Sequence, residues 1–185
     1  MRIISGIHRS RQITAPKNLP VRPTTDFAKS GLFNILASRY NFKRLEVADL
    51  FSGTGSLTYE FLSRGCEKVI AVDKNPGCIR FIQQTLVLLK AGSGIQAIQS
   101  DALNWLARTS GTYDIIIADA PFAETPAESL INAVADRKLL KKKGLLIIEH
   151  ANSNDLSTLP YYEETRKYGN VAFSFFRIEN DAKTD

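Results

Sequence analysis

With 185 residues the chain is about one domain long and can bury a substantial core. Its 44% hydrophobic and 23% charged content fits a soluble globular protein, and no apolar run approaches the ~20 residues of a helical membrane span. The formal net charge of +5 allows a polyanionic partner without demanding one. Cys66 and Cys78 have neither disulfide-framework nor zinc spacing, and no signal-type apolar segment opens the sequence. Both therefore read as buried thiols of a cytoplasmic protein that holds no metal.

From Met1 to Val21 there is no acid, whereas Arg2, Arg9, Arg11 and Lys17 fall there and Arg22 just beyond. Arg2 to Gly6 and Arg11 to Thr14 are expected to pair as a small hairpin turning through Gly6 to Ser10. Ala15 to Pro20 is extended, because its two prolines deny it a ladder or a helix. Such an arm suits phosphate contacts on RNA, or is simply a solvated terminus. Ile3, Ile4 and Ile13 argue that part of it docks on the domain. A helix follows, roughly residues 27–39, with Thr24, Thr25 or Asp26 as its cap. Leu32, Phe33, Ile35 and Leu36 give its buried stripe, and Gly31 in mid-helix implies a close packing contact.

Glu46 to Phe51 reads as a short strand buried on both faces of a parallel sheet. It runs into Gly53-Thr54-Gly55, where glycines permit positive φ and close approach of a ligand to the backbone, and an amphipathic helix begins near Ser56. Strand, glycine loop and helix make a nucleotide-type pocket at the carboxyl end of a sheet. A dinucleotide fingerprint requires a third glycine where Thr58 stands, and the acid Asp49 before the loop disfavours a pyrophosphate but suits a cationic, amine-bearing ligand. A second strand, Lys68 to Asp73, ends in an acid 18 residues beyond Gly55, close to the ~20-residue offset of a ribose-binding carboxylate. Asn75-Pro76 caps and starts the next helix.

A third strand, Ile95 to Ser100, leads to Asp101-Ala102, which can hold an adenine amino group or merely cap the short helix carrying Trp105. The fourth, Tyr113 to Ala118, delivers Asp119-Ala120-Pro121-Phe122. After a helix near residues 127–136, Lys141-Lys142-Lys143 is expected to sit at a helix carboxyl end, where cations meet the dipole favourably. Leu145 to Glu149 forms a fifth strand, followed by His150, read as structural. Residues 163–168 and 171–177 around Gly169-Asn170 form a closing hairpin. The expected organisation is a basic extension over residues 1–22, one α/β domain over 23–178 and a loose tail over 179–185.

Strands that end in carboxylates or a glycine loop on one rim, with a terminal hairpin, resemble the class I S-adenosylmethionine-dependent methyltransferases. Asp119-Ala120-Pro121-Phe122 looks like the Asp/Asn-Pro-Pro-Tyr/Phe motif of enzymes that methylate exocyclic amines of nucleobases. Arg22-Pro23-Thr24-Thr25-Asp26, Asp49 to Gly55 and Ser63-Arg64-Gly65, in this order behind a basic N-terminus, are similar to the bacterial small-subunit (16S) ribosomal RNA guanine-N2 methyltransferases. The likeness runs over essentially the whole chain.

The resemblance implies a doubly wound, Rossmann-like, mostly parallel seven-stranded sheet with a small N-terminal hairpin. It implies that Asp49, Phe51, Ser52, Gly53, Thr54 and Gly55 surround the methionine part of S-adenosylmethionine. Asp73, with Lys74 beside it, takes the ribose, Asp101 and Ala102 the adenine, and Thr24 and Thr25 line the pocket. Asp119 and the carbonyl of Ala120 accept the amine hydrogens, while Phe122 stacks on the base behind Pro121. Arg9, Arg11, Lys17 and Arg22 meet RNA phosphates, within a partly or fully assembled 30S particle, and the protein acts as a monomer. Ala120 departs from the family pattern, which has proline there. Reduced activity, or a non-catalytic RNA-binding assembly factor, stays open on that account. So does a methyltransferase for adenine N6 or protein glutamine. A nicotinamide dehydrogenase is disfavoured by Thr58.

Overall fold

Residues 47–50 and 115–118 carry almost uninterrupted apolar side chains, and both stretches are buried in the middle of one sheet. The computed structural model describes residues 1–16, 19, 24–121 and 125–178; Lys17, Arg22, Phe122 and the 179–185 tail lie outside the described residues. Five strands run parallel: β1 (Glu46–Leu50), β2 (Lys68–Asp73), β3 (Ile95–Gln99), β4 (Tyr113–Ala118) and β5 (Leu140–Ala151). The antiparallel pair β6 (Tyr162–Tyr168) and β7 (Val171–Phe176) completes the order β3-β2-β1-β4-β5-β7-β6. Helices α1 (Asp26–Arg39), α2 (Ser56–Ser63) and α3 (Pro76–Leu88) cover one face, packing Leu32, Phe33, Phe61 and Ile82 against Val47, Ile115 and Phe173. Helices α4 (Ala102–Arg108) and α5 (Ala127–Asp136) cover the other, with Trp105, Leu130 and Ile131 against Leu50, Ile116 and Ile148. Strands covered on both faces read as continuous apolar runs for this reason. The doubly wound architecture is the one expected.

Local signals place several elements closely. Thr25 caps α1 by accepting the Ala28 N–H at 3.2 Å, and Asn75 caps α3 with Pro76 in its first turn. Gly31 is required because a Cβ there would lie 2.0 Å from the Tyr168 ring, the close contact its mid-helix position implied. Trp105 is core, and buried His150 is structural: its Nδ1 donates to the Ala151 carbonyl at 2.9 Å and its Nε2 meets Ser174 Oγ at 2.7 Å.

Two expectations are corrected. Lys141-Lys142-Lys143 is not at a helix end; α5 stops at Asp136 and the lysines begin β5. Lys138 turns the chain with a φ of 52°, and Leu139 and Leu140 are drawn into the core, which pulls the following residues into the sheet. Lys141 then bridges Asp114 at 3.0 Å and Glu46 at 3.5 Å, joining the leading ends of β4 and β1. Helix α2 is not amphipathic in its setting, because all eight of its residues are buried.

The cover on its outer face is the N-terminal segment. That segment forms a single antiparallel bridge, Arg2 to Gln12, rather than two extended strands, and its turn docks on the end of α2. Glu60, fully buried, accepts the N–H groups of Ile4 at 2.8 Å and Ser5 at 3.1 Å together with Arg64 Nε at 2.8 Å. Ser63 accepts Ile7 N–H on its carbonyl at 2.8 Å and His8 N–H on its hydroxyl at 3.0 Å. Gly6, at φ +83°, passes so close that a Cβ would sit 1.8 Å from the Ser63 carbonyl oxygen. Ile3 and Ile13 are buried beneath the segment, and Ile4 is half-buried.

A buried carboxylate with three donors is a strong fastening. Glu60→Gln is expected to lower the unfolding free energy by about 2–4 kcal/mol in urea titrations. It should also speed hydrogen exchange at the Ile4 and Ser5 amides. A variant within about 0.5 kcal/mol of the parent would remove the anchor role.

Candidate active site

Every parallel strand points its carboxyl end at the same rim, and the order reverses between β1 and β4, so a crevice opens there. It holds a cavity of about 600 Å³, within the usual range for a ligand pocket. Its wall gathers Thr24, Asp49, Phe51, Ser52, Gly53, Thr54, Asp73, Lys74, Asp101, Ala102, Asp119, Ala120 and Pro121 from five separate stretches of sequence. Thr25 turns its hydroxyl into α1 as the cap, and Gly55 lies behind the wall, its missing Cβ replaced by the Tyr59 ring 2.7 Å away.

The glycine loop is a braced structure. Phe51, Gly53 and Gly55 all have positive φ, at 55°, 53° and 79°. For an aromatic residue that conformation costs about 1–2 kcal/mol, a backbone strain held beside the pocket. Asp73 pins the loop from β2: its Oδ2 accepts Gly53 N–H at 2.8 Å while its Oδ1 accepts Asn75 N–H at 2.8 Å. Each oxygen keeps a further lone pair for a ligand hydroxyl. Asp101 Oδ1 accepts Asn104 N–H at 2.9 Å, so the capping role is real, and its other oxygen remains for the cavity it lines. Ser52 Oγ is buried with no partner among the described residues, a polar atom on the pocket wall awaiting a ligand.

The carboxyls are unusual in their proton affinity. Burial pushes Asp49 up to about 7, against the opposing pull of a 2.5 Å hydrogen bond from Thr58 Oγ1, and Asp119 and Asp73 push it further up. Thr58, which stands where a dinucleotide fold has glycine, thus holds the acid of the loop. Asp119 is open to solvent at the pocket mouth yet crowded by protein on its other sides, and this partial desolvation raises its carboxyl. Ala120 is buried and Pro121 is exposed beside it.

Glu149 is the residue that sequence reasoning passed over. It is 5% exposed, accepts Thr24 Oγ1 at 2.8 Å, and is held well above the ordinary carboxylate range by burial first and by Asp119 next. The available signal was the one used at Asp49 and Asp73, an acid closing a strand.

The basic residues divide. Arg9 and Arg11 are exposed on the N-terminal segment. Arg9 belongs to the turn docked on Ser63, at the opposite end of α2 from the glycine loop, roughly 12 Å along the helix. His8 is turned inward, and desolvation with Arg11 nearby lowers its proton affinity, so it adds no cation to that surface.

A family model described as conserved hypothetical protein 95 matches residues 1–177. The ribosomal RNA small subunit methyltransferase D of Escherichia coli (strain K12) is 29% identical over 188 residues, covering 100% of this chain and 93% of the relative. A putative rRNA methyltransferase of Bacillus subtilis (strain 168) is 30% identical over 183 residues, covering 96% of this chain and 98% of the relative. A solved structure of a putative methyltransferase from Escherichia coli superposes with a TM-score of 0.84 at 28% identity, over 97% of this chain and 98% of that one.

Asp73 carries two backbone amides of the pocket, so Asp73→Ala should release both. The Gly53 and Asn75 amides are expected to lose hydrogen-exchange protection by at least about tenfold. Unchanged protection would show that the loop holds its shape without this carboxylate.

Proposed function

The chain belongs to the conserved hypothetical protein 95 family, and from that membership we propose that it moves a methyl group from S-adenosylmethionine to the exocyclic N2 amine of a guanine in small-subunit ribosomal RNA. The observation that carries this reading is the position of Asp119: an ionisable acceptor at the mouth of the same cavity whose inner wall is the glycine loop.

The donor set fits the cofactor. Asp73 presents two oxygens with spare lone pairs to ribose hydroxyls, and Asp101 with the Ala102 amide suits an adenine edge. Asp49 and the partnerless Ser52 hydroxyl offer acceptors to an ammonium group, and the acids as a set suit a cation. S-adenosylmethionine supplies an electrophilic methyl group when bound.

The protein's own share is orientation and charge. A guanine amine is a poor nucleophile because its lone pair is spread into the ring. Asp119 and the Ala120 carbonyl accept its two hydrogens, draw the nitrogen towards sp³ and aim the lone pair into the cavity. As the N–C bond forms, the carboxylate stabilises the positive charge on nitrogen and receives the departing proton. Phe122 stacks on a base taken out of its helix or loop. Alanine at position 120 keeps the acceptor carbonyl and gives up the rigidity of a fixed φ.

Arg9, Arg11, Lys17 and Arg22 meet RNA phosphates, and the first two are exposed on the N-terminal segment. The substrate is small-subunit RNA within a partly or fully assembled 30S particle. The protein works as a monomer in the cytoplasm. No helix among the described residues is long and apolar enough to cross a membrane.

The test uses tritiated S-adenosylmethionine, unmodified small subunits and mass spectrometry of the labelled nucleotide. N2-methylguanine is the expected product. Asp119→Ala should cut the rate by at least about a hundredfold with cofactor affinity within about threefold of the parent. An active Asp119→Ala protein would sink the mechanism, and label on adenine or on protein would reassign the acceptor.

A further inference from the structure

Three carboxyls gather on neighbouring strands. Asp49 lies opposite Ile117 and Ala118 opposite Ile148, so Asp119, just past β4, is level with Glu149 of β5 and two residues beyond the level of Asp49 on β1. Asp49 and Asp119 line the cavity, and Glu149 lies behind Thr24. Asp49 and Glu149 are 2% and 5% exposed, and Asp119 acts electrostatically on both. Their donors among the described residues are neutral, the Thr58 hydroxyl and amide for Asp49 and the Thr24 hydroxyl for Glu149. The other charged groups around the cavity are Asp73 and Lys74 at the end of β2 and Asp101 before α4, and Lys29 of α1 reaches Ser56 on its wall.

We propose that this acid cluster reads the charge on the cofactor's sulfur, giving up a proton when a sulfonium enters and taking one back when the sulfonium becomes a thioether. The inference rests on the methyl-transfer reading above. It concerns how the protein tells fresh cofactor from spent cofactor, two molecules that differ by one methyl group and one positive charge.

The physical basis is the competition between desolvation and a neighbouring cation. Burial raises all three carboxyls, Asp49 to about 7, so the cluster carries protons at neutral pH. A positive sulfur in the same cavity favours the ionised forms, and a proton leaves as the ligand binds. A binding event that expels protons becomes tighter as pH rises and weaker as the acids refill. The thioether brings no charge to sulfur and leaves the cluster protonated. Ribose, adenine and the amino-acid end contribute equally to both ligands.

The proton count also closes over the reaction. Transfer breaks the S–C bond, with sulfur keeping the electron pair, and forms an N–C bond to the amine. The nitrogen then sheds one proton, and the ionised cluster beside it accepts that proton. One proton goes out with cofactor entry and one comes in with transfer, so the spent cofactor faces a neutral cluster that no longer holds it electrostatically.

Isothermal titration of the wild-type protein, in buffers of different ionisation enthalpy, counts the protons directly. About one proton released per S-adenosylmethionine near neutral pH is expected, and less than half as many per S-adenosylhomocysteine. S-adenosylmethionine affinity should rise roughly tenfold over one pH unit below neutrality, and that of the thioether less than about threefold. Glu149→Gln, which keeps the shape and the neutral state, should release fewer protons; a release equal to wild type would remove Glu149 from the cluster. Equal proton counts for the two ligands, or none, would overturn the inference and leave the methyl-transfer reading standing. No binding of S-adenosylmethionine at any pH would overturn that reading itself.

Discussion

Between β1 and β4 the chain changes the direction in which it winds, and this single topological reversal shapes the molecule. Crossovers on either side leave the rim to opposite faces, so a crevice opens at the carboxyl ends of those two strands. The acids at or just past the ends of β1, β2 and β4 then share one concave space, with Glu149 of β5 behind it on Thr24. The hydrogen bonds from Thr58 and Thr24 and the amides of Gly53 and Asn75 are what make their burial tolerable. For Asp49 and Glu149, the two that are buried, desolvation raises the proton affinity. The fold therefore carries a standing demand for positive charge at one place.

The glycine loop beside those acids is held rather than loose. Phe51 is strained, Asp73 pins the loop from the next strand, and Tyr59 fills the space behind Gly55. Strain concentrated beside a pocket is what preorganisation looks like in a backbone. On the opposite wall Asp119 stands exposed at the pocket mouth, and the Pro121 carbonyl two residues on accepts the Thr125 N–H at 2.9 Å.

Much of this was legible because it is local. A strand, two glycines and a cap announce themselves within a few residues, which is why β1, the loop, α3 and the acids Asp49, Asp73, Asp101 and Asp119 could be read in order. What was not legible depends on distant partners. Helix α2 carries Glu60 and Ser63 as an exposed helix would, and the segment folding over it from earlier in the chain makes them interior. Lys141 to Lys143 look like a solvated helix end until Asp114 and Glu46 are seen to receive Lys141. Glu149 looked like the neighbour of a histidine, although its partner Thr24 lies 125 positions away. Arg9 falls in an acid-free run that reads as a free arm, yet the turn between Gly6 and Ser10 carries it to the far end of α2.

The fastening of the N-terminal segment also sets an order of events during synthesis. Ile4 meets Glu60 56 positions later, so the first stretch of the chain has no docking surface until α2 exists. At ~5–20 residues per second, that leaves the arginine-bearing segment undocked for several seconds after it is made. Helix α2, meanwhile, must form with Glu60 uncovered. The cover of this helix is thus written before the helix it covers, and its arginines stay undocked through that interval.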